Sequence, residues 1–182
     1  RGLFAVHDAT LDVLDLRAKQ GRFELTGADL EFERRGNHVS LRGQVELPEH
    51  LGSALEVDAD LEGDLAHADS VEWRASIDAR DLDLEQWAAL LPDSIVVPAA
   101  GRGSVRASAR GVGPGLTSLW LRPELSNLQL PDGGVVFTRV AGDLRLQRNA
   151  EDISIEGTGL EISREGMPWR PTSISATLKK NE

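Results

Sequence analysis

The chain has no cysteine and no tyrosine, and aromatic residues make up only 4% of its 182 positions. Without cysteine there is no disulfide, no thiol nucleophile and no cysteine-ligated metal. No stretch approaches the roughly 18 consecutive apolar residues of a membrane-spanning helix, and no signal peptide is visible. The formal net charge of −10 argues against a nucleic-acid backbone as partner. It argues equally against docking on anionic lipid headgroups.

What the chain does have is alternation with a period of two, the pattern of strands with one apolar and one charged face. Its apolar content of 40% and charged content of 27% are ordinary for a folded domain, and we expect residues 1–182 to form one unit. The purest example sets Leu55, Val57, Ala59 and Leu61 against Glu56, Asp58, Asp60 and Glu62.

Roughly ten strands are predicted by this pattern, separated by turn signals such as Gly36-Asn37. Gly27 joins or kinks two of the runs, Pro48 ends one, and Pro123 predicts an edge, bulge or break. The predicted runs are 11–16, 22–25, 29–33, 39–47, 54–62, 71–80, 104–110, 119–130, 140–148, 153–162 and 173–178.

One short helix is predicted at residues 84–91. Asp83 is the expected N-cap, with Gln86 as its reciprocal partner in a capping box, and Pro92 stops the helix. Such a helix is about 12 Å long, so it covers only part of a large sheet. Its buried face follows helical spacing through Leu84, Trp87, Ala88 and Leu91.

Candidate chemistry is thin. There is no nucleophile elbow and no set of residues for acid–base catalysis, so we expect no enzyme, no cofactor and no metal site. Carboxylates along one strand lie about 6.6 Å apart and cannot wrap one ion, so Asp58 and Asp60 predict a solvated face paired with arginines such as Arg42 or Arg74. The four histidines, His7, His38, His50 and His67, are expected at the surface.

Two architectures fit the alternation. Periodicity alone favours a closed β-sandwich, in which the apolar face packs on a second sheet, as in an interaction or carbohydrate-binding module. Short connections at residues 35–37, 149–152 and 164–166 favour an antiparallel meander that stays open. The tryptophans at 73, 87, 120 and 169 are scattered, which argues against a sugar-stacking platform.

Residues 63–92, with Val71-Glu72-Trp73 leading to the run from Asp81 to Pro92, resemble the periplasmic part of the bacterial YhdP family of AsmA-like proteins. The similarity extends over about four fifths of the chain. It includes residues 41–63, 101–107, 140–146 and 160–171.

The resemblance implies an all-β fold, an open β-groove that carries phospholipids from the inner towards the outer membrane and supports the outer-membrane barrier. It implies a periplasmic location and, as partners, phospholipid acyl chains, both membranes and neighbouring groove segments of a longer parent chain. Because the chain begins at Arg1, we expect an excerpt whose inner-membrane anchor lies outside it. The family offers no catalytic residues to carry over.

With this resemblance the open groove becomes the preferred architecture, and the apolar side of the alternation becomes its floor. Strand edges exposed at either end predict edge-to-edge association of the chain, near Leu11 and Ile174. The predicted lipid-contacting residues are Leu25, Phe32, Leu41, Leu55, Val57, Leu61, Trp73, Ile77, Val105, Leu121, Leu144, Leu146, Ile155 and Ile162.

Overall fold

Eleven strands form one antiparallel sheet with a single short α-helix, in a computed structural model that describes residues 2–14, 22–90, 98–131, 135–149, 152–165 and 167–179. The predicted all-β class with one helix is confirmed. The strands are β1 Gly2–Leu14, β2 Arg22–Arg35, β3 His38–Glu46, β4 Ala54–Glu62, β5 Glu72–Asp83, β6 Ala100–Val112, β7 Gly115–Gln129, β8 Val136–Arg148, β9 Asp152–Arg164, β10 Met167–Pro168 and β11 Thr172–Lys179. The helix, α1, spans Leu84–Leu90, and a 3-10 turn spans Ala68–Ser70.

The topology is a meander, in which each strand from β1 to β9 pairs with the next along the chain. β10 and β11 both pair with β9, at successive parts of its length, and together complete the last row. β1 and β11 therefore lie at opposite ends, and the sheet is open and curled. The closed β-sandwich is wrong for the described residues, because their strands all belong to this one sheet.

Several strands run further than their sequence pattern predicts. β1 begins at Gly2 rather than Leu11, while its predicted end at Leu16 lies outside the described residues. The two runs flanking Gly27 are one strand that bends there, as the prediction of a join or kink allows. Ala150, Glu151 and Gly166, in two of the predicted short connections, also lie outside the described residues.

Pro123 lies inside β7, an interior strand, so the predicted edge is wrong and the predicted break appears only as a gap in the pairing with β8. The strand continues because Pro123 still pairs with Val105 of β6. On the other side the pairing with β8 passes from Leu121 to Glu124 and omits the proline. A proline has no N–H to give, and β7 places it where no ladder bond is formed to β8.

A series of β-bulges crosses the sheet beside the row formed by Val45, Leu55, Ala79, Val105 and Pro123. Each has a residue in the left-handed region and adjoins a shift in strand register. A bulge bends its strand and increases the twist, so the series curves the sheet along one line. The left-handed residues are glycine, aspartate or asparagine, which tolerate this conformation: Asp8, Gly27, Asp81, Asn127 and Gly159.

Helix α1 and residues 47–51 cover one end of the apolar face. Leu84 and Trp87 of the predicted helical face pack there, while Leu91 and Pro92 lie outside the described residues. The capping box is wrong: the Asp83 N–H donates to the Leu51 carbonyl oxygen, and its carboxylate accepts from Arg102. The buried core beneath this cover contains Leu25, Ala28, Val45, Leu47, Leu51, Ala79 and Leu82.

Candidate functional site

Two rows of side chains without a polar atom cross the whole sheet on one face. Directly paired residues of neighbouring strands share a face, so the rows follow from the strand register. One row runs through Phe4, Phe32, Leu41, Ala59, Ala75, Ala109, Leu119, Leu146, Ile155 and Ala176. The other runs through Val6, Leu30, Gly43, Val57, Ile77, Ala107, Leu121, Leu144, Gly157 and Ile174.

All fourteen predicted floor residues lie on this apolar face, in these two rows or beside them. Leu55 pairs with Ala79 and Leu61 with Trp73, on the strand positions that flank the rows. The face is open at several positions of the two rows, where Phe4, Phe32, Leu41 and Ile77 are exposed, Ile77 by 43%. Contact with lipid stays a prediction for this set.

Leu25 lies on the predicted apolar face, but it is buried and is not part of the open floor. It is only 8% exposed, because it packs in the core beneath α1 with Leu47 and Leu51. Leu55 and Val105 also contact this core at its margin. The open part of the floor therefore begins beyond these residues and extends towards the other strand ends.

The predicted set leaves out several members of the two rows, including Phe4, Val6 and Ile174. Phe4 and Val6 were missed because the bulge at Asp8 interrupts the alternation of β1. Ile174 alternates correctly with Ser173 and Ser175, so the period alone could have found it.

The side chains at the centre of the open floor are small. Ala59, Ala75 and Ala109 are consecutive members of one row, on β4, β5 and β6. At the rim, Gly111 lies directly opposite Trp73, and a methyl group on Gly111 would be 2.6 Å from Cζ2 of the indole. The absence of that side chain lets the Trp73 ring lie flat on the sheet and donate to the Gly113 carbonyl oxygen at 2.9 Å.

The opposite face is polar and carries cross-strand ion pairs. Arg80 contacts Glu56 at 2.7 Å, and Arg106 contacts Asp78 at 3.2 Å. The predicted pairing of Asp58 with Arg42 is present, at 3.7 Å. Of the two arginines that the prediction offered, Arg42 is the one that pairs, and Arg74 forms no ion pair within the described part of the chain.

On the same polar face Trp120, Arg122 and Asp143 form a compact cluster. Arg122 donates to both carboxylate oxygens of Asp143, each at 2.9 Å, and its guanidinium lies 5.2 Å from the centre of the Trp120 ring. The Trp120 indole N–H donates to the same carboxylate at 3.0 Å. The hydrogen bonds from Arg122 and, to a lesser extent, Trp120 lower the pKa of Asp143, and the hydrogen bond to Asp143 raises the pKa of Arg122.

The histidines lie at or near the surface, and His7, His38 and His67 each have a carboxylate beside them. The Nδ1 of His38 is 3.0 Å from Glu62, and that of His67 is 2.8 Å from Asp64. Across the described ranges no three potential ligands come together as a metal site. No helix in those ranges has the length and apolar character to cross a membrane.

Comparisons of the chain with protein-family models, with curated proteins and with solved structures find no match. What the protein does is therefore inferred from the two faces of its sheet. The apolar face has no polar side chain in either of its central rows, so it offers no group for catalysis there.

Proposed function

We propose that the open apolar face binds phospholipid acyl chains, and that the chain is one periplasmic segment of a groove along which phospholipids move between the inner and outer membranes. The observation that carries this proposal is the pair of uninterrupted apolar rows across ten strands. The resemblance of residues 63–92 to the YhdP family supports the same function.

The shape of the apolar surface suits a long aliphatic chain. Nine strand spacings of about 4.8 Å make each row about 43 Å long, and two rows cover on the order of 500 Å². Contiguous apolar patches of this size on soluble proteins are commonly binding sites. Because the rows contain no polar side chain, their occupant needs no hydrogen-bonding group along its length.

The energetics favour acyl chains that slide along the rows rather than chains held at one fixed position. Each methylene removed from water contributes about 0.8 kcal/mol, irrespective of its position along a row. Aliphatic side chains such as Val57 and Leu121 give no directional interaction that would hold one position. Headgroups remain in solvent at the margins of the face.

A second copy of the chain is the main rival for the same surface, since two apolar faces packed together would form a sandwich. The face is asymmetric along its strands. One end, with Phe4 and Phe32, is open, and the other end is covered by α1. Lipid is the occupant that we propose, and measuring lipid binding together with self-association separates it from a second copy.

The test uses Ile77→Asp on the floor and Ser154→Asp on the polar face as its matched control. Each variant adds one carboxylate. Because Ile77 is well exposed, the new carboxylate stays hydrated in the free protein, and the fold is retained. An acyl chain lying over it would strip that water, which costs several kcal/mol, so lipid binding should fall at least about tenfold.

Binding is measured by incubating each protein with vesicles of phosphatidylethanolamine and phosphatidylglycerol, followed by native mass spectrometry and transfer of a fluorescent phospholipid to acceptor vesicles. The wild type and Ser154→Asp should carry and transfer lipid, and Ile77→Asp should not. A lipid-free wild type that dimerises through this face in light scattering would overturn the proposal. Equal loss in both variants would overturn it as well.

A further inference from the structure

On the polar face, strands β4 to β8 border an open cavity of about 660 Å³. Its charged lining consists of three arginines and two aspartates, so its formal charge is +1 (three minus two) in a chain whose net charge is −10. The cavity lies on the side of the sheet away from the proposed lipid floor. Its charged residues are Arg74, Arg110, Arg145, Asp58 and Asp60.

Arg74 and Arg110 are direct cross-strand partners on β5 and β6. Neither has a carboxylate within ion-pair distance anywhere in the described ranges, although Arg42, Arg80 and Arg106 on the same face each have one. Like charges placed directly opposite each other destabilise a sheet. Two arginines placed opposite each other without carboxylate partners therefore do not stabilise the fold.

The nearby aspartates are engaged elsewhere. Asp60 is the cross-strand neighbour of Arg74, yet its carboxylate lies 3.5 Å from Nε2 of His38. Asp58 pairs with Arg42. Asp60 thus lies beside His38 and Asp58 beside Arg42, both on β3, and neither carboxylate is within ion-pair distance of Arg74 or Arg110 on the β5–β6 side of the cavity.

Neutral donors complete the cavity wall. Ser76, Ser108 and Ser118 are half-buried, and their hydroxyl groups have no hydrogen-bond partner within the described part of the chain. Trp120 lines the same wall, with Arg145 as its direct neighbour on β8. Guanidinium and hydroxyl donors facing one space are the groups that recognise a tetrahedral oxyanion.

We propose that this cavity binds a phosphorylated, hydroxyl-rich ligand of the sugar phosphate class, with its phosphate between Arg74 and Arg110. A phosphomonoester carries about −1.5 to −2 charges at neutral pH, which matches the charge of the directly opposed Arg74 and Arg110. The cavity is in the size range of small-molecule sites and is far larger than one phosphate needs. Serine hydroxyls and the Trp120 ring face the remaining volume, where a sugar would lie.

The binding test is calorimetric titration of the full chain at constant ionic strength with glucose 1-phosphate, inorganic phosphate and glucose. Glucose 1-phosphate should bind at least about tenfold more tightly than either of the others, since only it engages both halves of the cavity. Arg74→Gln and Arg110→Gln should each weaken its binding by about tenfold or more. Arg139→Gln, which removes another exposed arginine, paired with Glu161 elsewhere on the sheet, should leave binding unchanged.

Thermal unfolding gives a second measurement, whose expected result differs from that for arginines that only stabilise the fold. In chloride buffer Arg74→Gln should raise the melting temperature, because the repulsion from Arg110 is removed, and it should cancel the stabilisation by glucose 1-phosphate. Ile77→Asp should retain this binding, so the cavity and the lipid floor fail or succeed independently. Equal binding of inorganic phosphate would overturn the sugar assignment, and equal binding of glucose or no loss in the arginine variants would overturn the site.

Discussion

The indole N–H of Trp87 donates a 2.8 Å hydrogen bond to the carbonyl oxygen of Leu51, which ties α1 to the loop between β3 and β4. The Asp83 N–H donates to the same carbonyl oxygen at 3.1 Å. Leu51 is almost fully buried beside them. These contacts hold the cover over one end of the apolar face, and so define where the open floor begins.

Replacing Trp87 should loosen that cover. Trp87→Phe removes the donor to Leu51 and should cost about 1 kcal/mol of unfolding free energy. Trp87→Ala also removes the packing against the core and should cost about 3 kcal/mol. Urea unfolding measures both, and Trp169→Phe, at a side chain 55% exposed, should change stability by less than about 0.5 kcal/mol. Equal costs for the two Trp87 variants would mean that the ring packs against nothing.

Gly111 should not accept a side chain. In Gly111→Ala the new methyl group would overlap both the Trp73 indole and the Gly115 carbonyl oxygen, so the ring and the backbone would both have to shift. We expect a loss of about 1 to 3 kcal/mol, measured by urea unfolding. Adding Trp73→Leu should cost less in this background than in the wild type, because the clash with the ring is relieved. Gly2→Ala, where the methyl group would meet no atom within 4 Å, should be close to neutral.

The Asp143–Arg122 pair should make stability depend on acid pH. Because the folded pKa of Asp143 is lowered, chiefly by the Arg122 hydrogen bond, its stabilising contribution is complete above the ordinary aspartate pKa of about 3.9. It is lost as the pH falls through the lowered folded value. An NMR titration of the Asp143 carboxyl should therefore show a pKa that rises in Arg122→Gln. Arg42→Gln, far along the sheet, should not change it, and an unaltered titration in Arg122→Gln would show that the pair does not form.

The positions of the floor residues could be predicted from sequence because a strand alternates its faces with a period of two. Val57, Ile77 and Leu144 follow from that period without knowledge of any strand partner. The period fails where a bulge adds a residue, and this is why the start of β1 was missed on the N-terminal side of Asp8.

The polar face depends on register, which the alternation does not contain. Whether Asp60 pairs with Arg74 or with His38 is decided by which residues the hairpins bring opposite one another and by side-chain conformation. The cavity between Arg74 and Arg110 was therefore beyond sequence reasoning. The same limit applies to Pro123, whose tolerance depends on which neighbouring strand faces its missing N–H.

The two end strands offer a last prediction, since β1 pairs only with β2 and β11 only with β9 among the described strands. Unpaired edges recruit further strands unless charges or prolines protect them. β1 carries Asp8 and Asp12, whereas Lys179 is the one charged residue of β11, on which Ile174 is 48% exposed.

We therefore expect concentration-dependent association through β11, seen as a rising mass in light scattering. Ser175→Lys combined with Thr177→Lys places two charges on the polar face of β11, beside Glu156 and Ser154 of β9. This double variant should stay monomeric, because a second β11 edge brought against it would oppose like charges. Ser40→Lys with Gln44→Lys, on the interior strand β3, should associate as the wild type does. A wild type that remains monomeric at high concentration would show that the edge of β11 is already protected, and association that persists in the β11 variant would place the contact elsewhere, with the apolar face as the next surface to test.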